Sequence, residues 1–193
     1  QGDIDWPAVA ADGVDFAIIR LGYRGYTQGA IQTDSCFYQN IQGALDAGLD
    51  VGVYFFSQAI TPEEARQEAD YVLSLLESYT ITCPVVYDWE PITFAEGART
   101  DQLENEVLTQ CAAAFCQQIA QAGYTPAVYF NQEMGYFNFD LKELSPFQFW
   151  LAEYDSCPSF YYGFTLWQYT HEGRVDGIQT PVDWNLDFSG LKR

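Results

Sequence analysis

A chain of 193 residues, 48% apolar and 17% aromatic, carries enough apolar surface for one domain with a full core, which excludes a disordered polymer. Its 27 acidic and 8 basic residues give a formal charge of −19, which argues against attraction to nucleic acid or to anionic membrane surfaces. No apolar run of about 18 residues is present, so membrane insertion is not expected. The acidic residues are spread along the chain and read as a solvated surface. The first residue is Gln1 rather than Met, with no basic and then apolar leader, so the chain reads as a processed or trimmed product.

In chain order, a short helix in IDWPAVAADG (4–13) precedes an apolar strand near 14–20. The stretch RLGYRGYTQG (20–29) lacks GxGxxG spacing and a P-loop lysine, so it reads as a flexible loop. A helix over 35–48 leads to a strand over 51–56, and a helix over 61–79 opens on TPEE: Thr61 caps, Pro62 suits the first turn and Glu64 completes a capping box. Strands follow near 84–90, 125–130, 147–153, 164–169 and 181–185, with a helix over 100–122 between the first two. Three segments, AADGVDFAIIRLG (10–22), ALDAGLDVGVYFF (44–56) and IAQAGYTPAVYFN (119–131), repeat one pattern in which a helix ends on Gly and a buried strand follows.

The five cysteines at 36, 83, 111, 116 and 157 have neither disulfide-framework nor zinc spacing, and read as small buried or surface residues. His171, in the turn-like YTHEG, reads as solvated.

The first four strands are apolar on nearly every residue, as parallel strands covered on both faces are. No linker divides the chain, so residues 1–193 read as one α/β domain. A barrel fits better than an open doubly wound sheet, because polar and aromatic groups end several strands and can meet at one C-terminal mouth. Only seven strands are legible and a short helix opens the chain, so either the barrel is incomplete or the chain begins just after its first strand.

The stretch PVVYDWEP (84–91) ends an apolar strand in Asp88 and Glu90. Residues two apart on a strand share a face, so both carboxylates point into the mouth, about 6.5 Å apart along the strand. Neighbouring carboxylates in a partly dry site split their pKa values, leaving one to hold a proton and the other charged. That separation exceeds the gap for direct nucleophilic retention and leaves inversion and substrate assistance open. Asp183, in PVDWN, ends a late strand at the same mouth. Tyr54, Phe56, Tyr129, Trp150, Tyr154, Trp167 and Tyr169 offer flat platforms for sugar faces, with barrel filling as the alternative. Asn131, Glu153 and Gln168 are candidate polar contacts. Acid chemistry of this kind requires no metal or other cofactor.

Taken in order, IDWPAVAADGVDFAIIRLGYR, DSCFYQNIQGALDAGLDVGVYFFSQA, TPEEARQEADYVL, PVVYDWE, AGYTPAVYFN, FWLAEY, LWQYT, VDGI and PVDWN resemble glycoside hydrolase family 25, the Chalaropsis-type lysozymes. The resemblance implies a flattened TIM-like β/α barrel of the (β/α)5(β)3 kind. It also implies hydrolysis of the β-1,4 bond between N-acetylmuramic acid and N-acetylglucosamine in bacterial peptidoglycan, by a secreted or wall-associated monomer. By the family's Asp-any-Glu motif, Glu90 is the implied general acid and Asp88 the implied support for the 2-acetamido group or the oxocarbenium-like centre. Asp183, in the late Asp-any-Asn motif, assists.

The family's opening strand, reading like Gly-Ile-Asp-Val-Ser, is absent, and only Gln1 and Gly2 remain of the Trp-Gln-Gly that follows it. The resemblance therefore implies N-terminal truncation, at the cost of barrel closure and one active-site carboxylate. Two other functions stay open: a glycan-binding module without catalysis, motivated by that missing strand, and a glycosidase acting on another N-acetylated polymer such as chitin.

Overall fold

The computed structural model describes residues 2–190, so Gln1 lies outside it. The helices are α1 (Trp6–Ala11), α2 (Phe37–Asp46), α3 (Pro62–Leu76), α4 (Asn105–Gln121) and α5 (Gln132–Phe137). The strands are β1 (Phe16–Arg24), β2 (Ile31–Thr33), β3 (Asp50–Phe56), β4 (Val85–Asp88), β5 (Pro126–Asn131), β6 (Gln148–Ala152), β7 (Leu166–Gly173) and β8 (Val182–Asp187).

All eight strands belong to one sheet in the order β2-β1-β3-β4-β5-β6-β7-β8. From β1 through β7 the neighbours run parallel, while β2 and β8 pair antiparallel at the two ends. Phe16 and Ile18 of β1 line the same cavity as Trp184 and Leu186 of β8, so the sheet curls into a half-barrel. Among the described residues no strand pairs β1 with β8.

Helix starts follow local chemistry. Asp5 caps α1 by accepting from the Ala8 N–H at 3.2 Å, and Thr61 caps α3 by accepting from the Glu64 N–H at 3.2 Å. The Glu64 carboxylate reaches one residue further back than a capping box requires and accepts from the Ile60 N–H at 2.9 Å. Helix α5 was not legible in the sequence; Asn131 caps it, accepting from the Met134 N–H at 2.8 Å.

Three local expectations are corrected. The stretch over 20–29 is not simply a flexible loop: β1 runs on through Arg24, and β2 returns against it with Gly22 opposite Thr33. A side chain at Gly22 would collide with the Gln32 carbonyl, so the absent Cβ permits this close pairing. Among the described residues the count is therefore eight strands rather than seven. His171 is exposed but lies within β7 rather than in a turn, because that strand continues to Gly173 to meet β8.

Strand alternation sorts the side chains into two layers. Val51, Val53, Phe55, Val85, Tyr87, Val128 and Phe130 point outward and are fully buried in one cluster with residues of α2, α3 and α4. Each such side chain stabilises by roughly 1.5–3 kcal/mol. Val86, Ala127, Trp150 and Leu166 point inward as a second cluster, packed with Phe16, Ile18, Tyr54 and Tyr129. No disulfide joins the cysteines: Cys111 and Cys116 are buried in α4 and Cys157 is exposed. No helix of the described residues is long and apolar enough to cross a membrane.

Candidate active site

Because β1 and β3 to β7 are parallel, their C-terminal ends share one mouth. Strand β4 stops at Asp88, two residues short of the expected 90, yet the alternation carries on through the next turn. Tyr87 and Trp89 are buried on the helix side, where Trp89 meets Phe139 edge-on at 6.1 Å, while Asp88 and Glu90 line a cavity of about 910 Å³. The third carboxylate, Asp183, enters the same cavity from β8.

Tyr54, Tyr129, Trp150 and Gln168 complete that wall as the sequence led one to expect. Trp150 stands edge-on to both tyrosines, with ring centres 6.5 Å from Tyr54 and 5.0 Å from Tyr129. The Gln168 side-chain oxygen accepts from Tyr129 Oη at 3.0 Å and from Tyr154 Oη at 2.8 Å, fixing both phenols at the mouth.

All three carboxyls are held above the usual carboxylate range, and burial is the main cause each time. Asp88 is the most strongly raised: the negative charge of Glu90 adds to its burial, and only the Arg20 guanidinium opposes them. Asp183 reinforces the effect at Glu90, and His171 relieves it at Asp183. One oxygen of Asp88, Oδ1, is buried without a hydrogen-bond partner among the described residues. A buried carboxyl left in that condition is poised for a donor from a bound molecule.

Five of the expected contact residues, Phe56, Asn131, Glu153, Tyr154 and Trp167, lie outside the cavity lining, while Tyr169 belongs to it. Phe56 is half-buried beneath the Arg20 guanidinium, 5.9 Å from its ring centre. Asn131 is spent on capping α5. The Glu153 carboxylate holds the following loop, accepting from the Ser159 N–H at 2.8 Å, Ser159 Oγ at 2.6 Å and the Phe160 N–H at 3.3 Å. Trp167 donates its indole N–H to the Glu153 carbonyl at 2.8 Å. Each of these residues has a partner within the protein instead.

Two lining residues, Trp184 and Asn185, were missed in the sequence. Asn185 was within reach of the alternation rule, since it stands two residues beyond Asp183 on β8. Trp184 was not, because which strand ends up beside the gap in the sheet is a tertiary outcome.

The sequence profile of the family described as glycosyl hydrolases family 25 matches residues 1–178. Among curated proteins, the chain is 28% identical over 192 residues to the autolytic lysozyme of Clostridium acetobutylicum, covering 99% of this chain and 54% of that protein. It is 30% identical over 203 residues to lysozyme M1 of Streptomyces globisporus, covering 98% of this chain and 65% of that one. The chain thus spans between about half and two thirds of the length of these relatives. Among solved structures, the modular autolysin LytC from Streptococcus pneumoniae superimposes with a TM-score of 0.78 at 26% identity, over 95% of this chain and 43% of that one. A second structure of LytC, in complex with a synthetic peptidoglycan ligand, gives a TM-score of 0.73 at 26% identity over 94% of this chain and 43% of that one.

Proposed function

Since the chain belongs to glycosyl hydrolases family 25, we propose that it is a peptidoglycan hydrolase cleaving the β-1,4 bond between N-acetylmuramic acid and N-acetylglucosamine. One observation carries the reading: Asp88 and Glu90 enter a single aromatic-walled cavity from the end of β4, and Asp183 enters it from β8. The lysozymes among its relatives and the peptidoglycan ligand of LytC support that substrate.

In this reading Glu90 is the general acid. Its half-buried carboxyl, raised by burial and by Asp183, holds its proton more readily than an ordinary glutamate and gives it to the departing glycosidic oxygen. Asp88 accepts from the N–H of the sugar's 2-acetamido group through its unpartnered Oδ1, which turns the acetamido oxygen toward the anomeric carbon. That oxygen attacks as the glycosidic bond breaks and forms a cyclic intermediate. Water then opens it with retention, Glu90 acting as base. Asp183 stabilises positive charge as it develops. The aromatic wall of Tyr54, Tyr129 and Trp150 packs against sugar faces. The chain acts as a monomer outside the cell or at the wall, where its polymer is found.

The test is mass spectrometry of fragments released from purified peptidoglycan, comparing the chain with its Glu90→Gln variant. New reducing N-acetylmuramic ends from the parent, lost in a folded Glu90→Gln, are expected. Fragments undiminished in Glu90→Gln would remove Glu90 from the role of acid, and reducing N-acetylglucosamine ends would identify a different bond. Chitin as the parallel substrate checks the polymer, because the acetamido group is common to both.

A further inference from the structure

Ser57 and Gln58 lie just beyond β3, both fully buried and neither lining the cavity. The backbone N–H of Ser57 donates to the Asp88 carbonyl at 2.7 Å. The side-chain nitrogen of Gln58 donates to the Glu90 carbonyl at 3.1 Å, and its oxygen accepts from Thr100 Oγ1 at 2.7 Å. The ends of β3 and β4 are thus sewn together at the two residues that carry the proposed chemistry.

Thr100 lies late in the segment that leaves Glu90 and leads toward α4. One amide therefore holds both the start and the far part of that segment. Its neighbour Arg99 anchors the same part, donating Nη2 to Glu64 Oε1 of α3 at 2.7 Å and its backbone N–H to the Tyr26 carbonyl at 2.8 Å. The amide side chain of Gln58 satisfies both partners at once, its NH2 group donating to Glu90 and its oxygen accepting from Thr100.

We infer that Gln58 is a positioning residue for Glu90, its buried amide fixing where the backbone of the acid sits relative to the substrate. It does not line the cavity, so its effect reaches the reaction through the backbone of Glu90. This rests on the reading of Glu90 as the acid.

The decisive variant is Gln58→Met, close in size and unable to make either bond. Where the parent chain cleaves glycan, kcat is expected to fall on the order of 10- to 100-fold with KM within about twofold, because a misplaced acid costs rate rather than binding. A direct readout comes from the carbon-13 signal of the Glu90 carboxyl in a pH titration, which needs no substrate. Asp88 on β4, Asp183 on β8, Tyr129 on β5 and Tyr154 beyond β6 face that carboxyl. Freed from Gln58, Glu90 moves toward water, and its midpoint is expected to fall toward the ordinary glutamate value. Should Gln58→Met not fold, Gln58→Glu takes its place: it keeps the acceptor for Thr100 and, when ionised, loses the donor for Glu90.

In a folded variant, an unmoved midpoint overturns the inference, as does a kcat within about twofold of an active parent. If the parent cleaves no glycan, the reading of function fails by itself. The midpoint alone then decides for or against the positioning role.

Discussion

Trp150 and Asn185 are joined across the lumen by a hydrogen bond of 2.8 Å from the indole Nε1 to the amide Oδ1, which ties β6 to β8 over the strand between them. Trp150 is buried, so losing that acceptor leaves an indole N–H without a partner in the wall of the cavity. Asn185→Leu is expected to lower stability by about 1–3 kcal/mol, read from urea unfolding. An unchanged midpoint would show that Trp150 finds another acceptor.

Stability should rise as the medium becomes mildly acidic. Burial raises Asp88, Glu90 and Asp183, and raises Glu68 to about 7. Between the unfolded carboxylate values near 4 and these raised ones, the folded chain binds more protons than the unfolded chain. The contribution of these groups is complete below the unfolded values and is lost as pH rises through the folded ones. Glu64, held low by the Ile60 N–H and Arg99 against its own burial, works the other way only at lower pH. The thermal midpoint should therefore be higher at about pH 5 than at about pH 7.5. Asp88→Asn should flatten that slope and raise the midpoint at the higher pH, while lowering kcat by on the order of 100-fold or more.

Arg24 and Glu68 form a buried pair at 2.6 Å, with Ser57 donating to the other Glu68 oxygen at 2.6 Å. Arg24→Leu strands a carboxyl in the core, at an expected cost of about 3–5 kcal/mol. The loss should be smaller at about pH 6 than at about pH 8, because without the guanidinium Glu68 takes up a proton more readily. Unfolding curves at the two pH values check this, and equal losses would mean that Glu68 stays charged.

Gly173 leaves room for the Trp184 indole, which a Cβ there would strike. Gly173→Ala should swing that ring, a wall of the cavity, and raise KM several-fold while the fold persists, since Trp184 is only half-buried. A KM equal to that of the parent would show that the ring makes no contact with substrate.

Much of this was legible in the sequence because it follows from local rules. The spacing of Asp88 and Glu90 placed both on one face, and the alternation held even though regular strand ended at Asp88. Thr61 and Pro62 announced α3, and the apolar runs announced the parallel strands. Local rules fell short where a residue's partner is distant in the chain. Glu153 resembled a contact at a strand end, yet its carboxylate is taken by Ser159 and Phe160. Arg24 lay in a stretch that read as loop, and its buried partner Glu68 is 44 residues away.

Local patterns carried the αβ repeat, the acidic pair and the family resemblance, because side-chain period and end signals act over a few residues. Tertiary packing settled which groups share the cavity, how far each carboxyl is desolvated, and that Gln58 grips the backbone of Glu90. Those depend on burial and on contacts between segments far apart in the chain, which form only when the sheet curls.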